Sequence, residues 1–216
     1  MPKFKPKKKY LKTNYKKKTP VNTKRKTSVS TKKTKPKRKY RTQKVNYQTI
    51  TDFRQQLTRP NLYIGKKDEP ITLRSSYEIR FCSYLDIVGK FGSWEVIAWS
   101  SENDVFEYYF PYKLYGGTIV ESKQKVRRYF IDNYVKLRNV NTGKIKEWFV
   151  EVKSCHKLKE PINNGRPSYL FQLLDYRKNL KKWETVKEYC KAEQLKGRDI
   201  TFHIFTEKDL AKLSFS

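Results

Sequence analysis

Residues 73–216 are predicted to fold as an α/β domain, a mixed β-sheet flanked by helices, behind a basic N-terminal arm with no core of its own. Three observations predict this. Apolar residues recur at helical spacing near both ends of the region, with β-branched and aromatic runs between them. The resulting order of helix, several strands, helix, strand, helix suits helices packed on a sheet with both parallel and antiparallel neighbours. Composition also shifts sharply near residue 48, which confines any core to the residues beyond it.

Residues 1–48 are the arm. From Met1 to Lys44 there are 20 Lys and Arg and no Asp or Glu, interleaved with Thr, Ser, Asn and Pro. Such a segment buries too little to offset its ordering entropy and is expected to be disordered alone. The chain carries a formal +29, and outside the arm 30 basic side chains still face 21 acidic ones. Both parts therefore attract polyanions. DNA is the natural partner: Lys7, Lys8, Lys9, Lys16, Lys17, Lys18, Lys24, Arg25, Lys26, Lys37, Arg38 and Lys39 in the arm, with Arg127 and Arg128 beyond it, are the expected phosphate contacts. A solubilising or localising tail is the alternative. No run of about 18 apolar residues is present, which removes a transmembrane helix and any membrane partner of that kind. The N-terminus also lacks the apolar core of a secretory signal. Cys82, Cys155 and Cys190, with His156 and His203, match no zinc-finger spacing. Adjacent Cys155 and His156 would point to opposite faces of a strand, which argues against a nucleophile pair. Free thiols fit a reducing intracellular setting.

Residues 49–72 read as a connector whose Ile50, Phe53, Leu57, Leu62, Tyr63 and Ile64 can dock on the domain. A helix is predicted from Ser75, with Tyr77, Phe81, Tyr84 and Val88 on one stripe, Cys82 and Leu85 beside it, and Gly89 and Gly92 ending it. Trp94–Trp99 and Val105–Tyr112 read as short strands, and Gly116 and Gly117 turn the chain toward a central hairpin. The KLKEPINNGRP stretch is a polar loop of a length that often covers a site. Ser168 is an N-cap candidate for a long helix, broken near Lys181 and stopped by Gly197. Thr201–Phe205 is a last strand, followed by a helix from Glu207 to Leu213.

The central hairpin joins Val126–Leu137 to Ile145–Val152 through the turn residues Asn139–Gly143. If the reversal is centred between Asn141 and Thr142, Asp132 lies opposite Glu151; a shift of one residue brings Lys153 there instead. Either register gathers Asp132, Glu151 and Lys153 at one end of the strand pair. Alternation puts Glu151 and Lys153 on one face and Val150 and Val152 on the other. Two carboxylates and an amine within cross-strand reach form a candidate divalent-metal site with a charge-stabilising group. Phosphodiester hydrolysis needs this set: acids to fix Mg²⁺, with Mn²⁺ able to replace it, and a cation for the developing charge. Asp132 and Glu151 would be ligands, the Val152 carbonyl a third, and Lys153 the cation. Glu78 shares the apolar face of its helix and has two readings. Ser75-Ser76-Tyr77-Glu78 matches a capping box in which Glu78 bonds the Ser75 amide; alternatively Glu78 faces the hairpin site.

RSSYEIRF, the WSSE at Trp99–Glu102, RRYFIDNYVKL, VEVK, WETVKEYC and FHIFTEKDL together resemble the head-completion nucleases of tailed phages, relatives of the heteromeric transposase endonuclease subunit in the D-(D/E)-x-K superfamily. The resemblance runs from about Leu73 to Leu210. It implies a restriction-endonuclease-like core in which Asp132, Glu151 and Lys153 are catalytic and Glu78 is an accessory acid, holding metal directly or through water. It further implies a Mg²⁺-dependent DNA endonuclease acting in head completion, with portal, neck and head proteins as partners. Its location would be the head-neck region of the virion, and the host cytoplasm during assembly. A non-enzymatic virion protein of the same fold and a transposon or repair endonuclease are the competing readings. Ile131 stands where the superfamily often has Pro and Asn133 where the phage proteins often have an aromatic; neither change removes a ligand. Glu102 has a turn role or a supporting role behind the site. No base-reading motif is present, so little sequence specificity is expected, with ends or branches favoured.

Deleting residues 1–44 is expected to weaken DNA binding and flatten its salt dependence, as titration at several salt concentrations would show. An unchanged slope would mean that the arm does not bind phosphate.

Overall fold

The computed structural model describes residues 52–213. The expected disorder of residues 1–48 and the arm cations from Lys7 to Lys39 lie outside the described residues. In chain order the elements are helix α1 (Ser76–Ile87), strands β1 (Lys90–Phe91), β2 (Trp94–Ser101), β3 (Val105–Tyr109), β4 (Tyr112–Tyr115), β5 (Thr118–Glu121), β6 (Val126–Phe130), β7 (Asn133–Asn139) and β8 (Ile145–Val152), helix α2 (Tyr169–Leu195), strand β9 (Ile200–Phe205) and helix α3 (Glu207–Ala211). The main sheet has five strands in the order β1-β2-β7-β8-β9. All its pairs are antiparallel except β8 with β9, which run parallel. The predicted mixed sheet flanked by helices is therefore present.

Strand β8 is the centre. From Trp148 to Val152 every residue is buried, because helices cover both faces. Val150 and Val152 pack with Phe81, Cys82 and Leu85 of α1, together with Trp99 and Val135. Phe149 packs on the other face with Val186 and Cys190 of α2, together with Ile131 and Ile200. The alternation read from the sequence thus divides β8 between two cores.

Ser75 starts α1 by accepting the Glu78 amide on its hydroxyl at 3.1 Å. Gly89 ends it at φ +60°, where a Cβ would lie 2.9 Å from the Leu85 carbonyl. The residues before α1 are part of the same body: Phe53, Ile71 and Leu73 belong to the α1-side core. They are tied down by Asp86, a buried carboxylate on α1 that accepts the Thr58 and Arg59 amides at 2.6 and 2.9 Å. The Arg59 guanidinium returns to the Asp86 and Leu85 carbonyls at the same helix end.

Three expectations need correction. The predicted single strand Val126–Leu137 is two strands. β6 leaves the main sheet to pair with β3, and the chain turns a corner at Ile131 and Asp132 before β7 begins. The corner is held by the segment after β2: the Ile131 amide donates to the Asp104 carbonyl and the Glu102 amide to the Asp132 carbonyl, each at 3.1 Å. Glu102 takes φ +48° to do so, which gives it a turn role. Second, Gly116 and Gly117 do not lead directly into the central hairpin; they close a separate two-stranded hairpin, β4 with β5. Third, α2 runs unbroken through Lys181, whose ammonium pairs with Glu184 one turn on at 2.5 Å and keeps that exposed stretch helical. Ser168 precedes α2, but its side chain makes no cap bond. Gly197 stops the helix at φ +89° as expected.

Replacing Asp86 by Ala removes a buried acceptor of two amides and is expected to destabilise the domain by roughly 3 kcal/mol in urea unfolding, with early proteolysis before α1. An unchanged midpoint would show that the segment 53–71 is held without it.

Candidate active site

The hairpin register places the site. Asn133 faces Val150 and Tyr134 faces Phe149, the pairing that a reversal centred between Asn141 and Thr142 requires. The ladder stops there, and Asp132 is the next residue outward. The Lys153 amide is bonded to the Phe205 carbonyl of β9 at 2.9 Å, so the Val152 amide faces the other way, toward the space that β7 has left. The Asp132 carboxylate fills that space and accepts the Val152 amide at 2.8 Å. Asp132 is thereby fixed beside the end of β8.

Glu151 is 1 % exposed, and each of its carboxylate oxygens has a partner. Lys153 Nζ lies 2.8 Å from Oε1. The Tyr129 hydroxyl, from β6, donates to Oε2. Lys182 of α2 stands behind Tyr129, with Nζ 4.6 Å from its ring centroid. Both Tyr129 and Lys182 escaped sequence reading. Tyr129 looks like an ordinary strand aromatic, and Lys182 is one of many lysines on a charged helix; only the fold brings them to Glu151.

The electrostatics are those of crowded acids. Asp132 is pushed well above the usual carboxylate range, first by loss of water and then by the neighbouring Glu151; Lys153 and the Val152 amide oppose this without cancelling it. Burial works against the charge on Lys153, but Glu151 and Asp132 outweigh it and raise its pKa. Burial and then Glu151 raise the Tyr129 hydroxyl, which stays a donor. Lys182 is lowered, chiefly by burial. A carboxylate held against its own ionisation beside a second one fits a divalent cation, which would stabilise both anions at once.

In the structure Glu78 serves the cap of α1. Among the described residues no three Asp, Glu, His or Cys side chains are grouped to hold a metal ion. Its carboxylate accepts the Ser75 hydroxyl at 2.8 Å and the Arg74 amide at 3.0 Å. The cap is real, but it satisfies the Arg74 amide where the Ser75 amide was expected. The negative charge of Glu78 still reaches Asp132 as a small upward influence. Asn133 is fully buried, its amide donating to Cys82 Sγ and the Ser100 carbonyl at 3.3 Å, so it ties β7 to α1 and β2. Arg127 braces the Tyr112 carbonyl at 2.9 Å, and Arg128 lies 5.7 Å from the Phe130 ring centroid. Cys155 and His156 lie in a 3-10 turn instead of a strand and engage Glu207 and Ser154 respectively.

The model of the TnsA-like endonuclease N-terminal family matches residues 93–207, more than half of the chain. The chain belongs to this family. Membership in the TnsA-like family makes the domain a nuclease domain of the restriction-endonuclease-like superfamily. The matched stretch contains Asp132, Glu151, Lys153 and Tyr129, and it begins after α1, so Glu78 falls outside it. Searches of curated proteins and of solved structures give no match.

Asp132 has a folded pKa above its unfolded value, so the stability it contributes is fully present below pH ~4 and is lost as pH rises through the folded value. In metal-free buffer Asp132→Asn should therefore melt higher than the parent at neutral pH, with the gain shrinking as pH falls toward ~4. A variant that melts lower at neutral pH would contradict the crowding of acids around Glu151.

Proposed function

We propose that this protein is a metal-dependent DNA endonuclease whose reaction centre is Asp132, Glu151 and Lys153. The observation that carries this reading is the carboxylate pair itself: a buried Glu151 locked by Tyr129 and Lys153, next to an Asp132 whose ionised form the protein disfavours. A fold gains no stability from keeping two acids together in this way, whereas a site that must attract a divalent cation does. Asp132 and Glu151 would hold Mg²⁺ or Mn²⁺, with the Val152 carbonyl alongside. When bound, the ion supplies Lewis-acid polarisation of the phosphate and a more acidic water.

The chain's own groups do the remainder. Tyr129 fixes the orientation of Glu151 through its hydroxyl, so the carboxylate is positioned before substrate arrives. Lys153, kept protonated by the two acids, presents positive charge where a phosphodiester oxygen gains negative charge. Lys182 adds positive potential from the α2 side. Glu78 keeps only a long-range influence through the α1 cap. The basic arm, with Arg128 on the domain, would hold the enzyme on DNA by phosphate neutralisation.

The setting we propose is DNA-end processing during head completion of a tailed phage, with the chain in the head-neck region of the virion and in the host cytoplasm during assembly. Its support is the resemblance from Leu73 to Leu210, which extends past both ends of the family match and takes in the α1 segment RSSYEIRF. Portal and neck proteins would be its partners. The match to the TnsA-like family favours a second setting for the same chemistry, cleavage at transposon ends. The two separate by where the chain is found: in purified particles, or on transposon-end complexes.

Supercoiled DNA incubated with the protein and Mg²⁺ is expected to be nicked, and Asp132→Ala and Lys153→Ala should each lower the rate by about 100-fold or more. Equal, negligible nicking by the parent and Asp132→Ala would sink the enzyme reading. Nicking that withstands a chelator would remove the metal.

A further inference from the structure

The first half of α2 forms one wall of a cleft of about 480 Å³, whose other side is built by the corner from Phe110 to Leu114 and by Arg127. Its charged lining is unbalanced: Lys113, Arg127, Lys157 and Lys178 against one carboxylate, Asp175. Asp175 takes Lys178 at 3.0 Å and Lys157 at 3.2 Å, so a single acid is shared by two ammonium groups. Among the described residues Lys113 meets the Tyr115 ring, at 5.7 Å, and no carboxylate. Beside these cations stand two aromatics that the cores do not use, Phe171 at 65 % exposure and Tyr112 at 48 %. Single exposed rings are ordinary, but two lining the same basic cleft form a patch in which ring faces and cations are offered together.

The cleft and the reaction centre lie against the same helix, α2. Phe171, Asp175, Lys178 and Lys182 are spaced by four, three and four residues along α2 and so form one helical stripe. At its far end Lys182 rests against Tyr129, the residue that holds Glu151. At its near end is the aromatic and basic cleft. This stripe gives the direction along which a strand bound in the cleft would approach the carboxylate pair.

Cations interleaved with exposed rings are the chemistry that binds unpaired nucleic acid, in which phosphates meet ammonium groups and a base stacks on an aromatic face. A duplex keeps its base faces stacked within itself and has none to offer Phe171 or Tyr112. The arm of this chain is excluded as occupant by charge, since it carries 20 cations and no acid. An acidic peptide would satisfy the lysines but leave the aromatics without a role.

We infer that this cleft binds an unpaired stretch of the DNA substrate, phosphates on Lys113, Lys157 and Lys178 and a base against Phe171 or Tyr112, leading the strand along α2 to Asp132 and Glu151. The inference rests on the nuclease reading of the carboxylate pair and sharpens its substrate: DNA with a single-stranded end, flap or gap, in preference to uniform duplex.

The test measures binding of the full chain in EDTA, so that cutting plays no part. A blunt fluorescent duplex is compared with the same duplex carrying an unpaired extension. The extension should tighten binding by roughly tenfold, the scale of one base stacked on an aromatic side chain. Phe171→Ala, a change at an exposed position, should remove most of that preference, and Lys178→Glu should do the same. A 2-aminopurine in the extension should change its fluorescence on binding to the parent protein and not to Phe171→Ala. Equal affinity for the two duplexes overturns the inference, as does a preference that survives both substitutions. Polyglutamate that displaces the extended duplex equally well from parent and Phe171→Ala would mark an acidic-peptide site and also overturn it. The nuclease reading stands or falls separately on Mg²⁺-dependent nicking: a protein that nicks without an extension preference loses only this inference, and one with the preference but no nicking loses only the enzyme.

Discussion

One backbone amide organises the site. Val152 sits in a central strand covered on both faces, and its neighbour β7 stops two residues short of it. An amide left bare in such a place would cost about 1–3 kcal/mol, so a partner has to be found. The Asp132 side chain supplies it. Because that bond is local and fixed by the strand pairing, the carboxylate is delivered beside Glu151 by the same requirement that completes the sheet. The acid pair is a product of backbone satisfaction as much as of side-chain choice.

A second consequence is electrostatic. The site contains Asp132, Glu151, Lys153 and Lys182 within a shell that excludes much of the water, and burial works against the charge on Asp132, Lys153 and Lys182 alike. Lys153 is stabilised in its charged form while Asp132 is not. Such an arrangement is poised to accept positive charge beside Asp132. Tyr129 keeps Glu151 from swinging away, since its buried hydroxyl donates to that carboxylate.

Much of this was legible in the residues. The turn material from Asn139 to Gly143 narrowed the hairpin to two registers, either of which gathers Asp132, Glu151 and Lys153 at one end, and period-two alternation put Glu151 and Lys153 on one face; the strand pairing itself selects the reversal centred between Asn141 and Thr142. The main helices, the last strand and the stops at Gly89 and Gly197 came from periodicity and from positive-φ requirements. The corner at Ile131 and Asp132 was not legible. Val126–Leu137 is uniformly strand-like in composition, and what breaks it is distant in sequence: the Asp104 and Glu102 backbone that captures the corner. Tyr129 and Lys182 were missed for the same reason, being placed by β3 and by α2. Glu78 shows the converse difficulty. A capping pattern and an accessory acid predict the same residue at the same position, and only the Arg74 and Ser75 contacts separate them. The unbroken α2 reflects exposed ion pairing at Lys181 and Glu184, which propensity alone does not reveal.

The parallel pairing of β8 with β9 also has a temporal meaning. The strand that carries Glu151 is finished on one side by β7, which precedes it in the chain, and on the other by β9, which follows only after the whole of α2. Until Phe205 has left the ribosome, the Lys153 amide has no strand to join and the buried edge of β8 stays open. A chain still being synthesised therefore carries Asp132 and Glu151 before β8 has its second neighbour, and the surroundings of the acid pair are completed only as β9 joins the sheet.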